Sequence, residues 1–425
     1  MTVFCLARKA VFAFFEIKNA MRRVVIGLIA AWCCAGCTGL KEIPAHDREE
    51  VEDVWPGPEA NGNGNASETV CYITGIDYPP GWDWTDDVKE RESARCSLMV
   101  FADGVPMLRL PVGEGHEVSA DPDMHEIIDG HLYTVFCSNG YTSIRKDGKA
   151  FLRYEGEETM RAMVVDEENI HTLNVPRDGK GFTYRKNGEL VMDRRTGYAF
   201  ERLHIDSGKM CFAFCQPVTT SEGQSERYYI VRDGRLSLVE INDDIASVWD
   251  MMSHQGKTCM LVSSGPWRTT ELIIDEEKIT VRLPYGAEML SCRLFSSGQK
   301  VCIEGMYADE NGNIYSGIWI EGQEYMLFET GQSIAGICSS DKDICCVLNP
   351  DAENPSGIIF SNGKTWDMPD GYHFRGNNPI VVADGDLHIG LTSINEEKPL
   401  VWKNGKTTIL KLNGPICNLS LGQKP

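Results

Sequence analysis

The sequence predicts an all-β fold, an eight-bladed β-propeller of four-stranded antiparallel blades. Three observations predict it. A two-residue hairpin turn recurs along the chain, helical periodicity is almost absent, and the two ends of the repeat region complete each other. Anchored on the Gly of each turn, the repeats fall at Gly104, Gly148, Gly188, Gly234, a Gly-less turn at Glu277, then Gly322, Gly363 and Gly405. The steps are 44, 40, 46, 43, 45, 41 and 42 residues. A fixed period of that size, with Asn-Gly or Asp-Gly between alternating strands, points to propeller blades.

Before the repeats comes a segment that reads as processing signal, residues 1–36. Met21, Arg22 and Arg23 precede the run "VVIGLIAAWCCAG" and then Cys37. A basic start, an apolar run of about a dozen residues and small residues before the cut site describe an export signal. The run is shorter than the roughly 20 residues a membrane-spanning helix needs. Met21 is the expected true start, since the preceding segment would put charges ahead of an otherwise complete signal. "CAGC" resembles a bacterial lipobox with Cys34 in place of the usual Leu, which makes Cys37 the expected lipid attachment site. Residues 37–68 then form an acidic tether rich in Pro, Gly and Asn, without periodicity.

The propeller occupies residues 69–425. Each unit shows one anatomy, as in Met124 to Tyr154: a strand, an Asp-Gly turn, a second strand, a loop, a third strand, another Asp-Gly turn and a fourth strand. Residues 69–110 supply only three strands, and "GPICNLSLGQK" at 414–424 is one strand too many. The spare strand therefore completes the first blade, closing the ring and removing two sheet edges.

Charge narrows the partners. The chain has 41 basic and 62 acidic residues, and the first 36 residues hold five basic and one acidic, leaving 36 against 61 in the mature chain. Such a chain is repelled by phosphate backbones, and no basic stripe stands out, so nucleic acid is not an expected partner. The membrane is met through the lipid anchor alone, and a monomeric propeller is expected.

Twelve cysteines follow Cys37. Cys71, Cys211, Cys259, Cys302 and Cys345 read as occupying one point in the second strand of five blades. Cys292, Cys338 and Cys417 read as lying in innermost strands. Pairs Cys292–Cys302 and Cys338–Cys345 flank turns, and Cys417 is expected opposite Cys71, where a disulfide would staple the ring in an oxidising compartment. The other reading is that cysteine serves as a small apolar residue in tight sheets. Beyond Cys37 no CxxC pair or His/Cys cluster has zinc spacing, and neither metal nor cofactor is expected.

Tight turns occupy one rim, so the longer loops of the opposite rim are where a site is expected. "DYPPGWDWTDD" brings together Trp82, Trp84, Asp86 and Asp87. Other loops add Trp267 and Arg268, Tyr307 and Asp309, and Tyr372, His373 and Arg375. Aromatic faces stack on sugars or apolar partners while carboxylates accept hydrogen bonds from hydroxyls. The expected function is a binding module for a glycan or protein partner. The alternative is a carbohydrate-active enzyme, a glycoside hydrolase or lyase, using loop carboxylates. "DENGN" at Asp309–Asn313 lacks the features of a calcium loop. G-x-S-x-G, H-E-x-x-H and P-loop motifs are missing.

The turn sequences at Arg145–Gly148, Arg185–Gly188 and Trp402–Gly405, with the lipobox and tether, resemble bacterial exported lipoproteins whose β-propeller is built from W/Y-K-N-G hairpin repeats. The resemblance covers nearly all of the mature chain, though the motif is degraded at Asp275–Lys278. It implies an outer-membrane lipoprotein scaffold in the bacterial envelope and carries no catalytic residues to this chain.

Overall fold

The computed structural model describes residues 69–423, apart from 79–95, 112–115, 119–124, 350–356 and shorter stretches. The expected signal, Cys37 and the tether lie outside the described residues. Blade 1 combines β1 (Thr69–Asp77), β2 (Ser97–Ala102) and β3 (Val105–Pro111) with the last strand, β35 (Ile416–Gln423). Blade 2 is β4 (His116–Val118), β5 (His125–Ile128), β6 (His131–Ser138), β7 (Tyr141–Lys146) and β8 (Lys149–Glu155). Blade 3 is β9 (Glu158–Asp166), β10 (Asn169–Pro176), β11 (Phe182–Lys186) and β12 (Glu189–Arg194). Blade 4 is β13 (Tyr198–Ala199), β14 (His204–Asp206), β15 (Lys209–Thr220), β16 (Gly223–Arg232) and β17 (Arg235–Val239).

Blade 5 is β18 (Ile245–His254), β19 (Lys257–Ser264), β20 (Thr269–Ile274) and β21 (Glu277–Thr280). Blade 6 is β22 (Glu288–Ser297), β23 (Lys300–Ala308), β24 (Ile314–Ile320) and β25 (Gln323–Leu327). Blade 7 is β26 (Ile334–Ser339), β27 (Ile344–Leu348), β28 (Ile358–Ser361) and β29 (Lys364–Asp367). Blade 8 is β30 (Tyr372–His373), β31 (Ile380–Ala383), β32 (Asp386–Ser393), β33 (Leu400–Lys403) and β34 (Lys406–Ile409). The protein is an eight-bladed β-propeller. Its innermost strands are broken in two in blades 2, 4 and 8, which the repeat period did not reveal. In blade 8 the break lies near Pro379, which has no N–H for the ladder but accepts from Gly390 N at 2.9 Å.

Ring closure follows the expected route. β35 pairs with β1 from Thr69↔Gln423 to Gly75↔Ile416, with a bulge between Thr74 and Gly75. Two backbone bonds extend the seam, Ile76 N to Pro415 O and Tyr78 N to Asn413 O, each 3.0 Å. Glycine is required here by space: a Cβ at Gly414 would sit 2.3 Å from Ile76 O.

The repeated turn does two jobs. Asp147, Asn187 and Asn404 take φ of 53°, 50° and 46°, and the following glycines 80°, 78° and 87°, the left-handed pair of a type I′ hairpin. The same Asp or Asn also grips the start of the second strand. Asn187 N donates to Ile170 O and its Oδ1 accepts from Ile170 N, both at 2.8 Å. Asp147 does this with Leu132, and Asp233 with Met210.

That latch corrects one expectation. In blade 1 Asp103 grips Cys71, so Cys71 holds the place of Leu132 and Ile170, and Tyr72 the next. The equivalent positions therefore read Tyr72, Tyr133, His171, Cys211, Cys259, Cys302, Cys345 and His388. A one-residue offset moves a side chain to the other face of the sheet, so Cys71 does not belong with the other four cysteines.

Apolar cores lie between neighbouring blades. Between blades 5 and 6, Leu261, Leu272, Leu294 and Trp319 are fully buried, and Trp319 Nε1 donates to Arg282 O at 2.8 Å. Between blades 7 and 8, Trp402 packs with Ile359, Phe374 and Leu391, edge-on to Trp366. Polar stitches cross the inner strands. Asp250 Oδ2 accepts from Leu294 N at 2.7 Å, Ser297 Oγ donates to Ser340 O at 2.8 Å, and Asn418 Nδ2 donates to His125 O.

Candidate functional site on the long-loop rim

Trp82, Trp84, Asp86, Asp87, Trp267, Arg268 and Arg375 lie outside the described residues. Tyr307 does not sit in a loop. It is buried at the end of β23, stacked on Tyr315 at 5.3 Å and edge-on to Trp319. Tyr372 is buried likewise and donates its hydroxyl to Lys398 O at 3.0 Å. Both rings take packing roles. His373, half-buried on β30, follows Tyr372 and pairs in register with Thr392.

Asp309 does reach the rim. Its carboxylate accepts from Asn311 N at 2.9 Å, Asn313 N at 2.8 Å and Asn313 Nδ2 at 2.9 Å. Those bonds, the Asn313 side chain foremost, hold its pKa below the usual carboxylate range. The loop is thus a pre-formed turn.

Against this loop stands a residue that sequence reasoning did not single out. Pro284-Tyr285-Gly286-Ala287 is a type II turn: Gly286 has φ 76° and Ala287 N donates to Pro284 O at 3.0 Å. The turn lifts Tyr285 to its apex, where the side chain is 97% exposed. Gly286 abuts the other loop, since a Cβ there would lie 3.3 Å from Glu310 Cβ. An exposed aromatic face, Ile314 at 48% exposure and the polar Glu310–Asn313 loop therefore share one patch of the rim of blade 6. The legible signal was Pro-Tyr-Gly between two blades.

One other constellation brings together a Ser, a His and an Asp. Ser253 Oγ donates to Asp206 Oδ2 at 2.6 Å, and Arg232 Nε donates to Ser253 Oγ at 3.0 Å. His204 Nε2 lies 2.9 Å from the Ser253 carbonyl oxygen, not from its hydroxyl. A nucleophilic triad requires the imidazole on the hydroxyl, so this arrangement joins blades 4 and 5 instead. Burial pushes the Asp206 pKa up, but hydrogen bonds from Ser253, Gly256 N and Ser207 outweigh it and hold the carboxyl below its usual value.

The strand registers hold two of the three expected cysteine pairs apart. Cys71 faces Leu421, and Cys417 lies at the bulge opposite Thr74 and Gly75. Three residues along a strand span roughly 10 Å, beyond the reach of a disulfide. Cys292 faces Gly305 and Cys302 faces Phe295, again three residues out of step. Cys338 and Cys345 are direct partners across β26 and β27, the expected juxtaposition, and stand as free thiols in this structure. Cys338 is pushed up by its hydrogen bond to Cys345 and then by burial, and Cys345 Sγ lies 3.0 Å from Ser361 Oγ. Burial also pushes Cys71, Cys259 and Cys302 up to about 12, so these thiols are unreactive packing groups. No group of three or more metal-ligating side chains occurs among the described residues.

No family model and no curated protein matches the chain. Among solved structures it is similar to an acylaminoacyl peptidase of Pyrococcus horikoshii, at 9% identity and TM-score 0.39, covering 73% of this chain and 55% of that one. It is similar to Drosophila plexin A in complex with semaphorin 1b, at 8% identity and TM-score 0.35, covering 81% and 87%. It is also similar to TolB from Acinetobacter baumannii, at 10% identity and TM-score 0.26, covering 83% of each chain. The chain spans about half the length of the peptidase structures it matches. Likenesses of this strength carry no inference about activity or partner.

Proposed function

We propose that this protein is a lipid-anchored binding module of the bacterial envelope, held by Cys37, whose long-loop rim engages a glycan. The observation that carries the reading is Tyr285, almost wholly exposed at the apex of a rigid turn and set against the polar Glu310–Asn313 loop. An aromatic face stacks on a sugar ring while carboxylate and amide groups beside it hydrogen-bond the hydroxyls. An enzymatic reading has less support: Asp309, the described carboxylate of that set, accepts three bonds within its own turn. The test is a thermal-shift screen of the mature chain against an oligosaccharide panel. A ligand that binds only the folded state raises the midpoint. The reading expects a shift that Tyr285→Ala abolishes. A flat panel contradicts the glycan reading and favours a protein partner at this rim, and a shift that Tyr285→Ala leaves intact places the glycan away from Tyr285.

A further inference from the structure

Among the described residues, each blade ends on an outermost strand whose far edge carries no further strand of its sheet. Natural sheets blunt such edges with charge, and here the edges are treated in two different ways. Phe151 on β8 is 52% exposed, Leu190 and Val191 on β12 are 51% and 49%, and Leu236 and Leu238 on β17 are 43% and 54%. Val105 on β3 and Ile409 on β34, in blades 1 and 8, are 65% and 64% exposed, whereas on the outermost strands of blades 5–7 only Tyr325 is a comparably exposed large apolar residue among those described.

Charge separates blades 2–4 from blades 5 and 6. The outer hairpin of blade 2, residues 141–155, carries Arg145, Lys146, Lys149 and Arg153 against Asp147 and Glu155, a net +2. The corresponding hairpins of blades 3 and 4 are each +1, those of blades 5 and 6 are −3 and −2, those of blades 1 and 7 are neutral, and that of blade 8 is +2. In a chain of net charge −21, blades 2–4 are the three consecutive blades whose outer hairpins are all positive. Among the described residues, every cation held over an aromatic ring lies in blades 2–4, including Lys146 over Phe151 and Arg153 over Tyr141. Those contacts fix cations on the wall beside the exposed apolar groups.

We propose that the outer wall of blades 2–4, centred on the edge of β12, is a docking surface for an acidic, extended segment of a partner protein that adds as a further strand. The unpaired edge offers main-chain donors and acceptors, Leu190 and Val191 offer apolar contacts, and the flanking cations of blades 2 and 4 select acidic side chains. Edge pairing and apolar contact are specific to a polypeptide. A polyanion without them would use the cations alone. This surface is separate from the rim that carries Tyr285.

The test uses the full mature chain and a labelled synthetic peptide alternating Glu with Val and Thr, read by fluorescence anisotropy. Binding is expected, and it weakens as salt screens the charges. Leu190→Glu with Val191→Glu, checked for an unchanged melting curve, should weaken it at least about tenfold. Lys149→Glu with Arg235→Glu should weaken it too and flatten the salt dependence. Glu277→Lys on blade 5 and Tyr285→Ala should leave it unchanged. The proposal is overturned by absence of binding, by equal binding of a peptide with Lys in place of Glu, or by insensitivity to the Leu190 and Val191 changes. Tighter binding of heparin or phosphatidylglycerol vesicles through the same cations would also overturn it, in favour of a polyanion or lipid surface.

Discussion

Blades 2, 3, 4 and 8 differ from blades 5, 6 and 7 at one pair of facing positions. In the first group the third residue of the second strand faces a cation: Tyr133 faces Lys146, His171 faces Lys186, Cys211 faces Arg232 and His388 faces Lys403. In the second group Cys259 faces Ile274, Cys302 faces Ile320 and Cys345 faces Ser361. The backbone is the same and the chemistry is not. One set turns a cation toward the wall, while the other pairs each cysteine with Ile or Ser and carries no charge there. A repeat fold fixes the latch and the turn, and leaves this pair free to define what each sector of the ring can meet.

The largest expected effect breaks the apolar sector. Trp319→Ala removes a fully buried ring and its hydrogen bond to Arg282 O, and should cost about 3–5 kcal/mol in urea unfolding. A smaller effect contrasts the two sectors directly. His171 Nδ1 lies 2.7 Å from Tyr184 Oη, both residues being buried, so Tyr184→Phe leaves a buried polar group alone and should cost about 1–3 kcal/mol. Cys259→Ala deletes one sulfur from an apolar contact and should cost about 1 kcal/mol. If the thiol change costs as much as the Tyr184 change, the contrast fails.

The polar sector also carries pH sensitivity. Burial first, then the facing Lys186, lowers the His171 pKa, and burial followed by Lys403 lowers that of His388. A histidine whose folded pKa is depressed contributes stability fully present above its unfolded value of about 6.5. That contribution is lost as pH falls from there toward the folded value. Denaturation midpoints should therefore drop between pH 7 and 5, and by less in His388→Gln. A midpoint constant over that window contradicts the assignment. The smallest effect sharpens the role of the latch. Blade 6 has Glu321 at φ 48° where its neighbours have Asp or Asn, and Glu321→Asn should stabilise by about 0.5–1 kcal/mol. Asn187→Ala should cost about 1–2 kcal/mol.

Much of the fold was legible because its signals are local. Asn-Gly and Asp-Gly mark the hairpins, and their even spacing, with complementary ends, implies the closed ring. Other features depend on contacts that no local pattern encodes. Cys71 was placed one residue out because only the Asp103 latch shows where blade 1 starts its count. Tyr307 and Tyr372 read as loop aromatics, although each lies at a strand end where the core still reaches. Tyr285 was missed since Pro-Tyr-Gly reads as a plain connector until Gly286 is seen against Glu310.

The most direct test of a ring with two distinct surfaces is a calorimetric titration with the oligosaccharide that gives the largest thermal shift. It would compare the wild type, Tyr285→Ala, and the Lys149→Glu, Arg235→Glu pair. Rim binding predicts at least about tenfold weaker affinity for Tyr285→Ala and no change for the wall pair. Loss of affinity in the wall pair, with Tyr285→Ala behaving as wild type, would contradict the account.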